Sequence, residues 1–303
     1  MMIKTRSFQL AAYAQGNKSA ENLAIVLPGF LDTKNHPHMR SHVDFLATKG
    51  YFALSFDPPG TWGSAGDIDQ YTMTNWLRAI EEVIEFFGSR PTLTAGTSRG
   101  GSMAMLAAIR NPAVMAFAAI MSKASYAPDA ETIHPMGEWQ AAGRREFNVT
   151  IPGRPGVKQH FVVPYSVVED TQQYNLLGDL CKLSKPKLFI AGRQDTTVKP
   201  EIVEAAYHAA AEPKKLVVVD ADHIYRRRPE VIAEINQALG EFVDQINPVR
   251  AAAQCRVVNG THVGKSGTVT DIKTSKTGAV TITVVQADGG RFKTLAKNVV
   301  IDA

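Results

Sequence analysis

Gly96-Thr97-Ser98-Arg99-Gly100 constrains this chain more than any other stretch. It fits G-x-S-x-G, and its neighbours suit the pattern. Thr92-Leu93-Thr94-Ala95 before it is strand-like, and Gly101 to Ile109 after it is a strong helix former. Strand, sharp turn and helix together make an elbow that lifts one serine above the end of a sheet. So tight a turn needs small flanking residues, and glycines stand at both ends. The strand that feeds such an elbow belongs near the middle of an open α/β sheet, whose sites lie beyond the carboxyl ends of its strands.

The rest of the first 246 residues agrees. Leu23–Leu27, Phe52–Phe56, Ala116–Met121, Lys187–Ala191 and Lys215–Val219 are short apolar runs, as expected of strands buried on both faces. Between them, His38–Lys49, Met73–Phe87, Pro200–Ala211 and Pro229–Gln245 have helical spacing. Strands alternating with helices predict an α/β fold, a doubly wound and mostly parallel sheet. Residues 122–183 interrupt the rhythm with aromatics, with Ile151-Pro152-Gly153-Arg154-Pro155-Gly156 as a turn between two strand-like pieces, and with helical residues near Glu169–Leu180. An insertion of that length between sheet strands is expected to form a cap that brings Trp139, Phe147, His160 and Phe161 towards the site.

Residues 247–254 read as a linker, and 255–303 as a small all-β barrel punctuated by glycines, with its clearest strand at Thr281–Val285. The net charge of +4 resides in this tail. Beyond residue 250 there are seven basic and three acidic side chains, which leaves the body neutral. No apolar run approaches the roughly 18 residues of a membrane span. The first residues lack an apolar signal core, and Cys181 and Cys255 lie in different predicted domains. A cytoplasmic protein without disulfides is therefore expected. His36-Pro37-His38 with His42 is not a convincing zinc set, and no phosphate-cradling glycine loop follows a strand, so neither metal nor cofactor is expected.

A serine nucleophile needs a base, and the base an orienting acid. Asp195 follows the strand ending at Ala191, and His223 follows the strand ending at Val219. Of the eight histidines, His223 alone has that strand-end place. Asp220 and Asp222 are nearer to it in sequence, but neighbours in a loop tend to point apart, so Asp195 is the expected partner. The Arg99 side chain is expected to pair with a nearby carboxylate rather than meet an anionic substrate. Arg226-Arg227-Arg228 is expected to be a solvated helix entry.

Leu27-Pro28-Gly29-Phe30, Ser55-Phe56-Asp57, Gly96 to Gly101, Ala191 to Asp195 and Asp222-His223 together resemble the α/β-hydrolases. They are most similar to the small capped cinnamoyl (feruloyl) esterases and the dienelactone-hydrolase-like group. The resemblance covers residues 20–245. It implies a carboxylic ester hydrolase working through an acyl-enzyme, with Ser98 as nucleophile, His223 as base and Asp195 as its orienting acid. It also implies an oxyanion hole made by the backbone N–H groups of Phe30 and Arg99, with Pro28 standing where the usual histidine of that loop would be. Thioesters and amides fall within the same chemistry. Asn259 to Val269 resembles a KOW motif, which in transcription and ribosomal proteins accompanies RNA or protein binding. The partners expected are thus a small-molecule ester substrate and, through the tail's apolar strands, a second subunit as a homodimer. A nucleic-acid- or ribosome-associated protein using the basic tail is the alternative.

Overall fold

The computed structural model describes residues 1–126, 130–246, 253–275 and 279–301. The expected linker lies mostly outside them. Ten strands precede the tail: β1 (Met2–Lys4), β2 (Gln9–Gln15), β3 (Leu23–Leu27), β4 (Phe52–Phe56), β5 (Thr92–Thr97), β6 (Val114–Ile120), β7 (Arg144–Thr150), β8 (Lys158–Pro164), β9 (Lys187–Gly192) and β10 (Lys214–Val219). The helices are α1 (Pro37–Thr48), α2 (Met73–Phe86), α3 (Arg99–Arg110), α4 (Ala130–Ala142), α5 (Ser166–Gln172), α6 (Leu177–Leu180), α7 (Pro200–Ala209) and α8 (Pro229–Ile246). One eight-stranded sheet has the order β1-β2-β4-β3-β5-β6-β9-β10, antiparallel only at β1/β2 and β2/β4. The elbow strand β5 is central.

Apolar runs in these strands follow from two cores. Successive side chains of a strand point to opposite faces. Leu23, Ile25 and Leu27 of β3 enter one core, with Trp76 and Ile80 of α2 and Met103 and Leu106 of α3. Ala24 and Val26 enter the other, with Val43 and Leu46 of α1 and Ile235, Leu239 and Phe242 of α8. Both cores must be filled, so alternation disappears and the run reads as continuous. Among the described residues, no helix is long and apolar enough to cross a membrane.

Between β6 and β9 the chain leaves the sheet. β7 and β8 form a hairpin, with Arg144 opposite Pro164 and Thr150 opposite Lys158, and the Pro-Gly stretch 152–156 at its tip. This is the turn that the sequence predicts. α4 precedes the hairpin and is not predicted, because Pro135 and Gly137 within it read as breakers.

The tail contributes β11 (Gln254–Val257), β12 (Ser266–Thr274), β13 (Val280–Val285), β14 (Arg291–Leu295) and β15 (Val299–Ile301). They form a separate antiparallel sheet in the order β14-β13-β12-β11-β15, around Cys255, Val257, Val269, Ile282, Val284 and Phe292. Gly260 and Gly264, both with positive φ, turn the chain between β11 and β12. This sheet touches the body where α1 ends. Gly50 has φ of +88°, and a Cβ there would run into the Val300 side chain.

Candidate active site

Ser98 sits between β5 and α3 with φ 53° and ψ −124°, a conformation disfavoured for any residue with a Cβ. The surrounding glycines allow it. A Cβ on Gly96 would strike the Gly100 carbonyl group, one on Gly100 the carbonyl oxygens of Leu27 and Pro28, and one on Gly101 the Ser122 hydroxyl. The elbow thus packs backbone on backbone against the end of β3.

The loops after β9 and β10 bring the other two expected residues to this serine. His223 Nε2 lies 3.1 Å from Ser98 Oγ, and His223 Nδ1 lies 2.7 Å from Asp195 Oδ2. Asp195 is buried, and its Oδ1 accepts from the Thr197 and Val198 amides at 2.8 Å each. Since Asp195 can only accept, Nδ1 carries the proton and Nε2 offers its lone pair to the serine. Asp220 and Asp222 turn elsewhere: Asp220 accepts from the Gln194 side chain and Asp222 from the Ile224 amide.

The Phe30 loop reaches the elbow closely. A Cβ placed on Gly29 would stand 3.6 Å from the Ser98 Cβ. Leu31 at φ 52° is clamped from both sides, its amide donating to Tyr71 Oη (2.9 Å) and its carbonyl accepting from Trp62 Nε1 (3.0 Å). Among the described residues, the Phe30 amide makes no backbone bond to a turn or loop, and Arg99 is the first residue of α3, where an amide has no intrahelical acceptor. Two backbone donors are therefore available beside Ser98. A cleft of about 260 Å³ opens here, with Ser98, His223, Phe30, Asp32, His38 and Arg226 among its walls.

Two buried polar networks support the site, and the sequence does not reveal them. In the first, Asp32 is bound by His36 and by His38 Nε2 (3.2 Å), with Arg226 Nη1 at 3.5 Å. Burial would raise the Asp32 carboxyl, but the hydrogen bonds to both histidines outweigh it and hold it far below the usual carboxylate range. Arg226 therefore faces the cleft rather than forming part of a solvated helix entry. In the second network, Asn236 donates from Nδ2 to Ser41 Oγ, which turns its Oδ1 to His42 Nδ1 at 2.6 Å. His42 Nε2 then accepts from Tyr225 Oη (3.0 Å), which in turn accepts from Thr97 Oγ1 (2.7 Å). Burial pulls the His42 imidazole down to about 3 and pushes the Tyr225 phenol above its ordinary value. Thr97 precedes Ser98 and Tyr225 lies two residues after His223, so this chain of bonds ties the loops that carry Ser98 and His223 to α1 and α8. These histidines lie on or beside helix α1, far from His223 in sequence, so only the helical spacing of His38 and His42 hinted that they share a face. Among the described residues, no group of histidine, cysteine or carboxylate side chains suits a metal ion.

The hairpin leans over this site. Phe147 meets Phe30 edge-on at 5.3 Å, Phe161 meets Trp62 at 5.4 Å, and Trp139 packs on Phe147 while its Nε1 donates to the Val163 carbonyl. His160, expected with them, instead turns outwards. It is half exposed and bonded to Asn148. Cys181 is exposed and Cys255 buried, and among the described residues neither forms a disulfide.

Comparison with known proteins agrees with this architecture. The profile of the Alpha/beta hydrolase family matches residues 24–235. A mouse (Mus musculus) protein described as mitochondrial palmitoyl-protein thioesterase ABHD10 is 26% identical over 184 residues, 57% of this chain and 59% of its own length. The chain thus spans well under two thirds of that relative. Among solved structures, mouse alpha/beta hydrolase domain-containing protein 10 superposes with a TM-score of 0.64 at 21% identity, covering 81% of this chain and 98% of that one. Est1E from Butyrivibrio proteoclasticus, solved with ferulic acid bound, gives 0.62 at 22% identity over the same shares.

Proposed function

As a member of the Alpha/beta hydrolase family, the chain has the fold of a hydrolase, and we propose that it is a serine hydrolase cleaving carboxylic esters or thioesters through an acyl-enzyme. The observation that carries this reading is the unbroken line of hydrogen bonds from Asp195 through His223 to Ser98. Ser98 Oγ attacks the substrate carbonyl carbon while its proton passes to His223 Nε2. Asp195 keeps the imidazole in its reactive tautomer and balances the charge that forms. The oxyanion is held by the Phe30 and Arg99 amides, each worth about 3 kcal/mol in comparable sites. His223 then protonates the departing alcohol or thiol, and water frees the acyl group by the same steps in reverse order. The thioester option is supported by the mouse relative's description, and the cap supplies an aromatic wall for the acyl group.

The test compares wild type with Ser98→Ala on p-nitrophenyl esters and on acyl thioesters of increasing length. Activity should fall by about a thousandfold or more with the circular dichroism unchanged. A folded Ser98→Ala protein that keeps most of its activity would sink the assignment. The same proposal includes a cytoplasmic home, which two cysteines outside any disulfide support, and a KOW-like module in the tail, which the glycine turn between β11 and β12 supports. A homodimer formed through the tail also belongs to it. Nucleic-acid binding remains the rival role for the tail, where Lys265 lies over the Phe292 ring and His262 stacks on it at 4.6 Å. Salt-sensitive retention of RNA by the full chain would favour that rival.

A further inference from the structure

Among the described residues, Arg99 is paired with no carboxylate of the kind that the sequence suggests. Among the described residues, the acids around the site are committed elsewhere: Asp32 to His36, His38 and Arg226, Asp195 to His223, and Asp57 to Lys34. The Arg99 guanidinium instead rests on aromatic rings, 4.7 Å from the centre of Phe30 and 5.7 Å from that of Tyr71. Tyr126 stands beside it. Burial raises that phenol, while the Arg99 charge and hydrogen bonds with Ser102 and Arg99 oppose the rise. Stacking engages the faces of a guanidinium and leaves its N–H groups, which lie in the plane, for hydrogen bonds. Among the described residues, Nη1 of Arg99 is buried and makes none. A charged donor sealed among aromatic rings without an acceptor is costly, and an acceptor brought by a ligand removes that cost.

The location indicates which part of a ligand would bring it. Phe30 lines the cleft with Ser98 and His223, and its ring also meets Phe147 of the cap hairpin. Arg99 follows the nucleophile and lies against that same ring. Resting on the reading of Ser98 as nucleophile, we propose that Arg99 is a specificity determinant. Its guanidinium receives a carboxylate at the far end of the acyl group, so the preferred substrates are half-esters or half-thioesters of short dicarboxylic acids.

The experiment uses the full chain and four N-acetylcysteamine thioesters: glutaryl and adipyl, with neutral pentanoyl and hexanoyl as their counterparts. Wild type should favour the anionic member of each pair in kcat/KM by about tenfold or more, the size expected of one charge-assisted hydrogen bond. Arg99→Met should collapse that ratio, Arg99→Lys should restore part of it, and Arg226→Gln should not collapse it. A ratio near one in wild type overturns the proposal. So does a ratio indifferent to Arg99→Met, or one lost through Arg226→Gln instead. Binding gives a second readout that needs no turnover. Calorimetry of free glutarate with the Ser98→Ala protein should show an affinity that vanishes when Arg99→Met is added, and binding that survives refutes the proposal. Failure of the hydrolase reading looks different: no thioester is turned over, while Arg99-dependent glutarate binding persists.

Discussion

Replacing His42 by Gln should change how stability depends on pH, and the size of the change follows from its surroundings. His42 is fully buried, its Nδ1 given to Asn236 and its Nε2 to Tyr225. The folded imidazole stays neutral down to about pH 3, whereas an unfolded one titrates near 6.5. Across that window the unfolded chain binds one proton more than the folded chain, so stability falls as pH falls. At about 1.4 kcal/mol per pH unit for one proton, the loss between pH 6.5 and 4.5 integrates to about 2 kcal/mol. His42→Gln keeps polar atoms in place and removes the titration. Urea unfolding followed by tryptophan fluorescence, on wild type and variant at pH 7.5, 6.5, 5.5 and 4.5, isolates this contribution as a difference. The wild-type advantage should shrink by about 2 kcal/mol towards pH 4.5. An advantage equal at both ends of the range would mean that His42 charges readily in the folded protein, and the buried network would have been misread.

Three further outcomes are expected. Gly100→Ala places a methyl group on the Leu27 and Pro28 carbonyl oxygens and should cost about 3 kcal/mol, read from the urea midpoint; a change below measurement error would refute the close packing of the elbow. Trp139→Ala removes the bond to the Val163 carbonyl and the packing on Phe147, and should shift the ratio of aromatic to aliphatic acyl turnover by about tenfold, whereas equal losses on all esters would deny the cap a role in selection. A chain ending at Ile246 keeps Ser98, Asp195, His223 and Phe30, and should hydrolyse thioesters at a rate comparable to the full chain; a folded but inactive product would show that the tail shapes the site.

Much of the body was legible because its strands meet two cores. Leu23–Leu27 and Phe52–Phe56 are buried at every position and match the expected ranges residue for residue. Ser98, Asp195 and His223 were legible for another reason: each follows a strand, and a parallel sheet sends all its strand ends to one edge. What stayed hidden depends on pairings that sequence distance conceals. Asn236 and His42 are bonded across 194 positions, and Asp32 meets Arg226 across as many. Among the described residues, Arg99 rests on aromatic rings rather than on a carboxylate, and a lone arginine in a sequence carries no sign of which carboxylates other residues have already taken. α4 was missed because a proline and a glycine spoke against a helix that forms all the same.

Gly50 gives the contact between body and tail an unusual asymmetry. The body offers backbone there and the tail offers the Val300 side chain, so the body has no side chain of its own to vary at that point. At that point selection can tune the contact by changing Val300 or its neighbours. Substituting Gly50 would mix strain at φ +88° with displacement of the tail, and so could not measure the contact. Shortening Val300 would weigh it alone.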